Sequence, residues 1–473
     1  MSQIDKGSLF LAPVSVNRAS TNGERKEQGK TARRIVPLAS HAEPRITKTG
    51  RDVIDVLEKT NAGRVEELIP LRYGRMLASS FTFFRGSAAL MAMDLSHTPN
   101  SGLIVQACGD CHIHNFGAFA TPERKIVIDI NDFDETLPAP WEWDVKRLAA
   151  SLVLAAVTNG MPLDVGQDAV SRMVRAYREY MAELSEMTHL EVWYSHVDAS
   201  KLLELSKGEA RRRRKKLLDE SLRKSSPEVL MDKFVTSSGG KLRFKEIPPL
   251  LVHVEGVSAG ELERQAFEEY SKTLRADRRV LLDRYEMVDI ARKVVGIGSV
   301  GTMCGVILLA SSENDIVILQ LKEARQSVLE PYAGKSVYKH QGERVVAGQK
   351  LMQAASDSFL GWATGPKPPY RHFYIRQLHD VKIGANTVFW DKNDYRSVSP
   401  LVGQILARAH ARSGDASFVR GYLGKSEAFD EAITRYASAY AQQAERDYTV
   451  FAKACKSGAL KARDFAGSCV LNN

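Results

Sequence analysis

An α+β fold, a helix-rich body holding a smaller antiparallel sheet, is predicted by three observations. At 473 residues the chain exceeds what one hydrophobic core accommodates, so two lobes with appendages are expected. Helix-like patterns fill roughly residues 145–224 and 400–458. Between them, three short β-branched runs, Lys293 to Gly296, Gly305 to Leu309 and Ile316 to Lys322, are separated by turn residues and read as an antiparallel meander. No internal repeat or long low-complexity tract breaks this pattern.

Taken from the start, residues 1–50 are rich in Ser, Thr, Lys, Arg and Pro without apolar periodicity and read as a mobile basic tail. The run Arg211 to Lys216, followed by Leu217-Leu218-Asp219-Glu220, has a helix-like context. It could touch phosphates, but no aromatic residues are interleaved with its charges, so a solvated helix face is expected and nucleic acid is not. With 66 basic and 57 acidic residues the net charge of +9 suits an anionic ligand such as a nucleotide, and by itself also suits nucleic acid or a membrane surface.

Five scattered cysteines, Cys108, Cys111, Cys304, Cys455 and Cys469, argue against a disulfide framework and for a reducing compartment. The Cys108/Cys111 pair has zinc-like spacing but no second such pair. No stretch approaches ~18 uninterrupted apolar residues. The short run Leu9 to Val14 falls short of a signal-peptide core. A cytoplasmic protein with no membrane partner is expected.

The chemistry concentrates in one segment. Leu103 to Ala107 reads as a strand that delivers Gly109-Asp110-Cys111-His112-Ile113-His114-Asn115 into a loop, and a second strand, Ile126 to Ile128, leads into Asp129-Ile130-Asn131-Asp132-Phe133-Asp134-Glu135. Clustered acids after two buried strands suit phosphoryl transfer, which depends on positioning and charge neutralisation. Asp110 can orient an acceptor hydroxyl, while Asn115 and Asp132 hold Mg²⁺ against the phosphates. Asp134 is a further metal candidate, with Asp129 and Glu135 as alternatives. Asp and Asn also dominate ordinary turns, so a calcium-type or surface loop is the competing reading.

On these residues the sequence resembles the aminoglycoside phosphotransferase and choline kinase group, whose catalytic loop reads Gly-Asp-x-His-x-x-Asn before an Asp-Phe-x-Asp-type metal motif. Here those are Gly109 to Asn115 and Asp132-Phe133-Asp134, with His112 in a supporting place. The resemblance implies that Asp144, in Trp143-Asp144-Val145, braces the catalytic loop; a helix N-cap is its bland alternative. Cys108 stands where these kinases often carry His.

Val294 to Thr302 contains Gly296-x-Gly298-Ser299-x-Gly301 between two strand-like runs. A dinucleotide fingerprint needs a helix directly afterwards, whereas a strand follows here, so a glycine-rich hairpin over ATP phosphates fits better. Lys322 ends the third strand, where a kinase places its phosphate-contacting lysine. Glu343, opening the helical run Glu343 to Ala355, is its expected ion-pair partner, with Glu330 competing. An exposed edge-strand lysine is the ordinary alternative.

In ordinary kinases this small lobe precedes the catalytic loop. The helix containing Leu406-Ala407-Arg408-Ala409-His410 also resembles one that those kinases place earlier. A protein-kinase-like two-lobed fold in circularly permuted order accounts for both displacements. The expected partition is a tail at 1–50, the catalytic-loop half of the large lobe at 51–285, a nucleotide-binding lobe at 286–385, and completing helices at 386–473.

The wider pattern, including Phe83-Phe84-Arg85-Gly86, Leu319 to Ala324 and Ala409 to Asp415, looks like the bacterial family catalogued as domain of unknown function 2252, over about residues 50–460. That family brings no established activity. Arg85 is read as a phosphate clamp or as a brace for the acidic loop; Arg412 to Asp415 as a substrate-side segment or a helix end; His410 as structural.

An ATP- and Mg²⁺-dependent phosphotransferase acting on a small-molecule or protein hydroxyl is the resulting expectation. One rival is a metal-dependent hydrolase in which His112 and His114 point the same way from a strand and a distal His253, His372, His379 or His410 completes the site. The other is a nucleotide-binding, pseudokinase-like regulator that has lost transfer.

Overall fold

The Ala-, Val- and Leu-rich stretch after Pro140 forms the helix Trp141–Thr158, buried along almost its whole length. Three long helices, Leu163–Leu184, Lys392–Ser413 and Ala428–Lys456, pack around it and build the main core. Lys392–Ser413 lies so close to Leu163–Leu184 that a Cβ on Gly403 would sit 2.2 Å from the Met173 carbonyl oxygen, which explains a glycine inside a helix. The computed structural model describes residues 20–47, 50–204, 208–224, 227–238, 241–248, 250–253, 260–294, 296, 298, 300–311, 315–378 and 382–463.

The smaller lobe is a six-stranded antiparallel sheet in the order Gly361–Thr364, His372–Gln377, Ile316–Glu323, Cys304–Ala310, Glu286–Lys293 and Leu251–Val252. Within its central strands, Cys304–Ala310 and the stretch Ile316 to Leu319 are apolar without interruption because both faces are covered. Val306, Leu308 and Ile318 face the helix Pro227–Phe234 and the hairpin of Val235–Ser238 with Lys241–Phe244. Ile307, Leu309 and Leu319 face the helices Glu261–Lys272 and Ala276–Leu282. This period-2 alternation follows from the pleat.

The fold is thus mixed α+β, and the expected meander of three strands lies at the centre of this sheet. The first strand runs Glu286–Lys293 rather than 293–296, and Val294 lies past its end. Two expected boundaries also shift. The described residues of 227–282 pack on the sheet, so they belong with the smaller lobe rather than with 51–285. Lys382–Gly384 pairs with Phe116–Ala120 and so belongs to the larger one.

The basic tail is corrected in part. Its residues 1–19 lie outside the described residues, but Asn22–Ile35 is a helix closed by a capping box between Thr21 and Glu24. This helix packs against Ala416–Leu423 through glycines: a Cβ on Gly421 would lie 2.0 Å from the Lys26 carbonyl oxygen. Contact through backbone needs no apolar stripe, which is why hydrophobic periodicity does not reveal it. Among the described residues no helix is long and apolar enough to cross a membrane.

The basic run lies on the helix Gly208–Lys224. Arg211, Arg212, Lys215 and Lys216 are exposed as expected. Arg213 and Arg214 instead turn inward to the buried Asp394.

Candidate active site

The strand Ile104–Ala107, paired with Leu137–Pro140, launches the loop Cys108–Asn115, and Phe116–Ala120 with Ile126–Ile130 carries the chain to the second acidic segment. Gly109 makes the turn possible. Its φ is +83°, and a Cβ there would come within 2.3 Å of the Glu135 carbonyl oxygen.

Behind the loop, Asp144 accepts hydrogen bonds from the backbone amides of Cys108 at 2.7 Å and Gly109 at 3.0 Å. Its Oδ2 also lies 3.3 Å from His410 Nε2, whose Nδ1 in turn meets Tyr177 Oη at 2.9 Å. Asp144 sits inside its helix and braces the loop; the cap position belongs to Pro140. His410 is likewise a structural residue.

In front, Asp110 takes a hydrogen bond from Arg147 Nε at 2.6 Å, and Asn115 donates to the Asp110 carbonyl at 2.6 Å. Burial raises the Asp110 pKa, a shift that Arg147 opposes. His112 Nε2 lies 3.7 Å from the Asp110 carboxylate. Burial, aided by Arg85 and Arg147, holds that imidazole well below its ordinary pKa, so it is neutral.

Lys322, from the sheet, reaches across to this segment. Its ammonium lies 2.6 Å from Asp134 and 3.2 Å from Asp132. Burial alone would depress its pKa, but the two carboxylates outweigh burial and hold it well above the usual range. Tyr374 Oη donates to Asp134 at 2.8 Å. Burial also raises the pKa of Asp134, with the neighbouring charge of Asp132 adding to it and Lys322 opposing it.

A cavity of about 1720 Å³ between the lobes is lined by Asp110, His112, Asn115, Asp132, Asp134 and Lys322, together with Gly296 and Gly298. Arg85 also lines it. Its Nε is buried without a hydrogen-bond partner, and no ion pair fixes the guanidinium among the described residues. Arg85 therefore does not brace the acidic loop by hydrogen bonds, although Asp110 and Asp132 are the charges it senses.

Several expected residues stand elsewhere. Glu343 is not the partner of Lys322: its backbone amide donates a hydrogen bond to His340 Nδ1 at 3.3 Å, and Lys322 pairs with Asp132 and Asp134 instead, because the strand end lies directly over the acidic loop. Glu330 accepts from Gln326 at 2.7 Å. Gly301 does not line the cavity; its carbonyl accepts from Val65 N at 2.7 Å and so ties the hairpin to the larger lobe. Ser299 lies outside the described residues. Asp129 is buried and turned away onto Arg408 at 2.6 Å. Glu135 lines the cavity, accepts from Val328 N at 2.7 Å, and is pushed up to about 7 by burial.

Arg147 was missed, although it follows Asp144 by three residues and so shares its helix face, a readable signal. Tyr374 and Arg376, both lining or bounding the site from His372–Gln377, had no local signal.

Among the described residues the two histidines of the hydrolase rival join no convergent group of three or more metal-ligating side chains. Ile113–Asn115 is a short 3₁₀ turn, so the strand alternation expected there fails. His114 Nε2 meets Thr387 Oγ1 at 2.8 Å. His253 is held by Glu246 and Asp289, and His372 accepts from Gln341 N, while His379 lies outside the described residues. Among the described residues the atoms that converge as a metal site would are those of Cys108, Cys111 and Asp144. Without a metal, burial raises both thiol pKa values, and Asp144 already accepts from the Cys108 and Gly109 amides.

A family described as "Uncharacterized protein conserved in bacteria (DUF2252)" matches residues 64–454. The chain belongs to this family. No curated protein and no solved structure matches it. The DUF2252 match includes the whole acidic loop, Lys322 and the sheet, whereas the capped helix Asn22–Ile35 precedes it.

Proposed function

We propose that the protein is an ATP- and Mg²⁺-dependent phosphotransferase acting on a hydroxyl acceptor, in a kinase-like arrangement whose two halves occur in permuted chain order. One observation carries this reading. Lys322 and Asp132, 190 residues apart, meet in one cleft with Asp110, Asn115 and Asp134.

The residues fit the groups they would hold. Carboxylate and amide oxygens form the hard ligand set that Mg²⁺ takes, through one or two carboxylates and the substrate phosphates. Asn115 uses its amide nitrogen on the Asp110 carbonyl, which leaves its side-chain oxygen for a ligand. Asp132 and Asp134 would hold the ion with it. Lys322 would then exchange part of its carboxylate pairing for phosphate oxygens. When bound, Mg-ATP supplies the phosphoryl group and offsets its charge. Arg147 fixes the Asp110 carboxylate, and burial raises its affinity for a proton, so Asp110 is suited to orient the acceptor hydroxyl and take its proton as the oxygen is phosphorylated. Neutral His112 adds no positive charge beside it.

The test is transfer from ATP to a panel of hydroxyl acceptors. Asp110→Ala should lose on the order of 10²–10⁴-fold in turnover while keeping most nucleotide affinity. Lys322→Ala should mainly weaken ATP use. Full turnover by Asp110→Ala would sink the assignment, and nucleotide binding without transfer by the wild-type protein would make it a regulator instead.

A further inference from the structure

The sheet brings a second lysine to the same cleft. Lys293 ends the strand Glu286–Lys293, one residue past the pairing of Arg292 with Gly305 and so level with Cys304. Cys304 is paired in register with Lys322. One row across three strands therefore carries Lys293, Cys304 and Lys322, which places the two lysines about 10 Å apart at the backbone.

The two are not alike. Lys322 has Asp132 and Asp134. Lys293 is only 7% exposed, lines the cavity, and makes no hydrogen bond or ion pair among the described residues. Its amine lies 5.3 Å from the centre of the Phe234 ring, and Lys233 lies 5.1 Å from the same ring. Both lysines line the cavity, as do Gly296 and Gly298 of the adjoining turn. A second positive charge beside a buried ammonium raises the cost of charging it, and burial together with Lys233 depresses Lys293 to about 8. The aromatic face recovers only part of that cost. Lys293, a buried cation with no counter-ion among the described residues, marks a place that lacks an anion.

We propose that Lys293 and Lys233 form an anion subsite at the sheet end of the cleft, which takes a phosphate group of the bound ligand other than the one directed to Lys322. The ligand class follows from the pair: two compact ammonium groups match the doubly charged oxygen cluster of a phosphate, and a turn with glycines at its edge lets backbone approach it. The site stands on its own geometry. It relies on the phosphotransferase reading only to name the ligand as a donor nucleotide or a phosphorylated acceptor.

The experiment is calorimetric titration of the full chain with pyrophosphate in the absence of Mg²⁺. Wild-type protein should bind it. Lys293→Met and Lys233→Met should each weaken it by roughly tenfold or more, Lys293→Arg should retain most of the affinity, and Lys322→Ala should change it little. No binding by the wild type, or unchanged affinity in both methionine variants with their circular dichroism intact, overturns the subsite. Lys233 is only half-buried, so its variant keeps the test decisive even where Lys293→Met misfolds. Mg-ATP titrations then separate the sources. Loss of Mg-ATP affinity in Lys293→Met assigns the phosphate to the nucleotide, and loss of pyrophosphate alone assigns it to the acceptor. A pyrophosphate effect that persists while Mg-ATP fails to bind at all would overturn the phosphotransferase reading and leave the subsite standing.

Discussion

The loop Cys108–Asn115 has two faces that differ in how completely their polar groups are paired. Behind it, Asp144, His410, Tyr177 and Ser151 complete one another's hydrogen bonds or those of the loop backbone. In front, Arg85 Nε, His112 Nδ1 and Asn131 Nδ2 are buried without a partner among the described residues, and all three residues line the cavity. Buried groups left unpaired cost about 1–3 kcal/mol each. A fold tolerates such a cost where a ligand removes it, so the contrast marks which face holds the loop and which face uses it.

The largest effect should come from breaking the back. Asp144→Ala leaves two buried amides and one imidazole nitrogen without an acceptor, and a loss of about 3 kcal/mol or more is expected in denaturant unfolding. A loss under about 1 kcal/mol would mean the brace is dispensable. Next, Lys293→Met removes an unpaired buried charge and should raise the stability of the ligand-free protein below about pH 8. The sign follows from a folded pKa near 8 against an ordinary value of 10.5. The native penalty is complete below about 8 and fades as pH rises toward 10.5, so the advantage of the variant should narrow over that window. Lys233 and Cys304 are the ionisable groups that face it, and Lys233→Met should shrink the effect.

Glu135 gives a smaller test in the opposite direction. Its carboxyl is raised from 4.5 to about 7 by burial. The native state therefore binds more protons than the unfolded one in that window, and wild-type stability should fall as pH rises from about 4.5 to about 7. Glu135→Gln, which keeps an acceptor for Val328 N, should flatten that slope in thermal unfolding; an unchanged slope would place its origin elsewhere. The smallest effect belongs to Glu343→Ala. No ion pair ties Glu343 to Lys322, so stability within about 0.5 kcal/mol and unaltered ATP use are expected.

Much of this site was legible because its residues are adjacent in sequence. Gly109 to Asn115, Asp132 to Asp134 and the strand ending at Lys322 all appear in short windows whose residue types carry the chemistry. What was not legible depends on contacts between distant segments. Lys322 was paired with Glu343 by analogy, yet the sheet lies over the acidic loop and gives it Asp132 and Asp134. Lys293 looked like an ordinary strand residue until the helix Pro227–Phe234 brought Lys233 and Phe234 beside it. The helix Asn22–Ile35 is a different case. Its Thr21-x-x-Glu24 capping signature was readable, but a contact through Gly29 and Gly421 leaves no hydrophobic stripe.

The most direct measurement is the thermal shift of purified protein by ATP with Mg²⁺, compared with Mg²⁺ alone and with Zn²⁺ or Mn²⁺ alone, in wild type and Lys322→Ala. Nucleotide at about 100 times its Kd should add roughly 2.7 kcal/mol of stability, and this gain should require nucleotide and vanish in the variant. A protein that ignores Mg-ATP but responds strongly to the transition metals would contradict the account and return the acidic loop to a metal-dependent hydrolase.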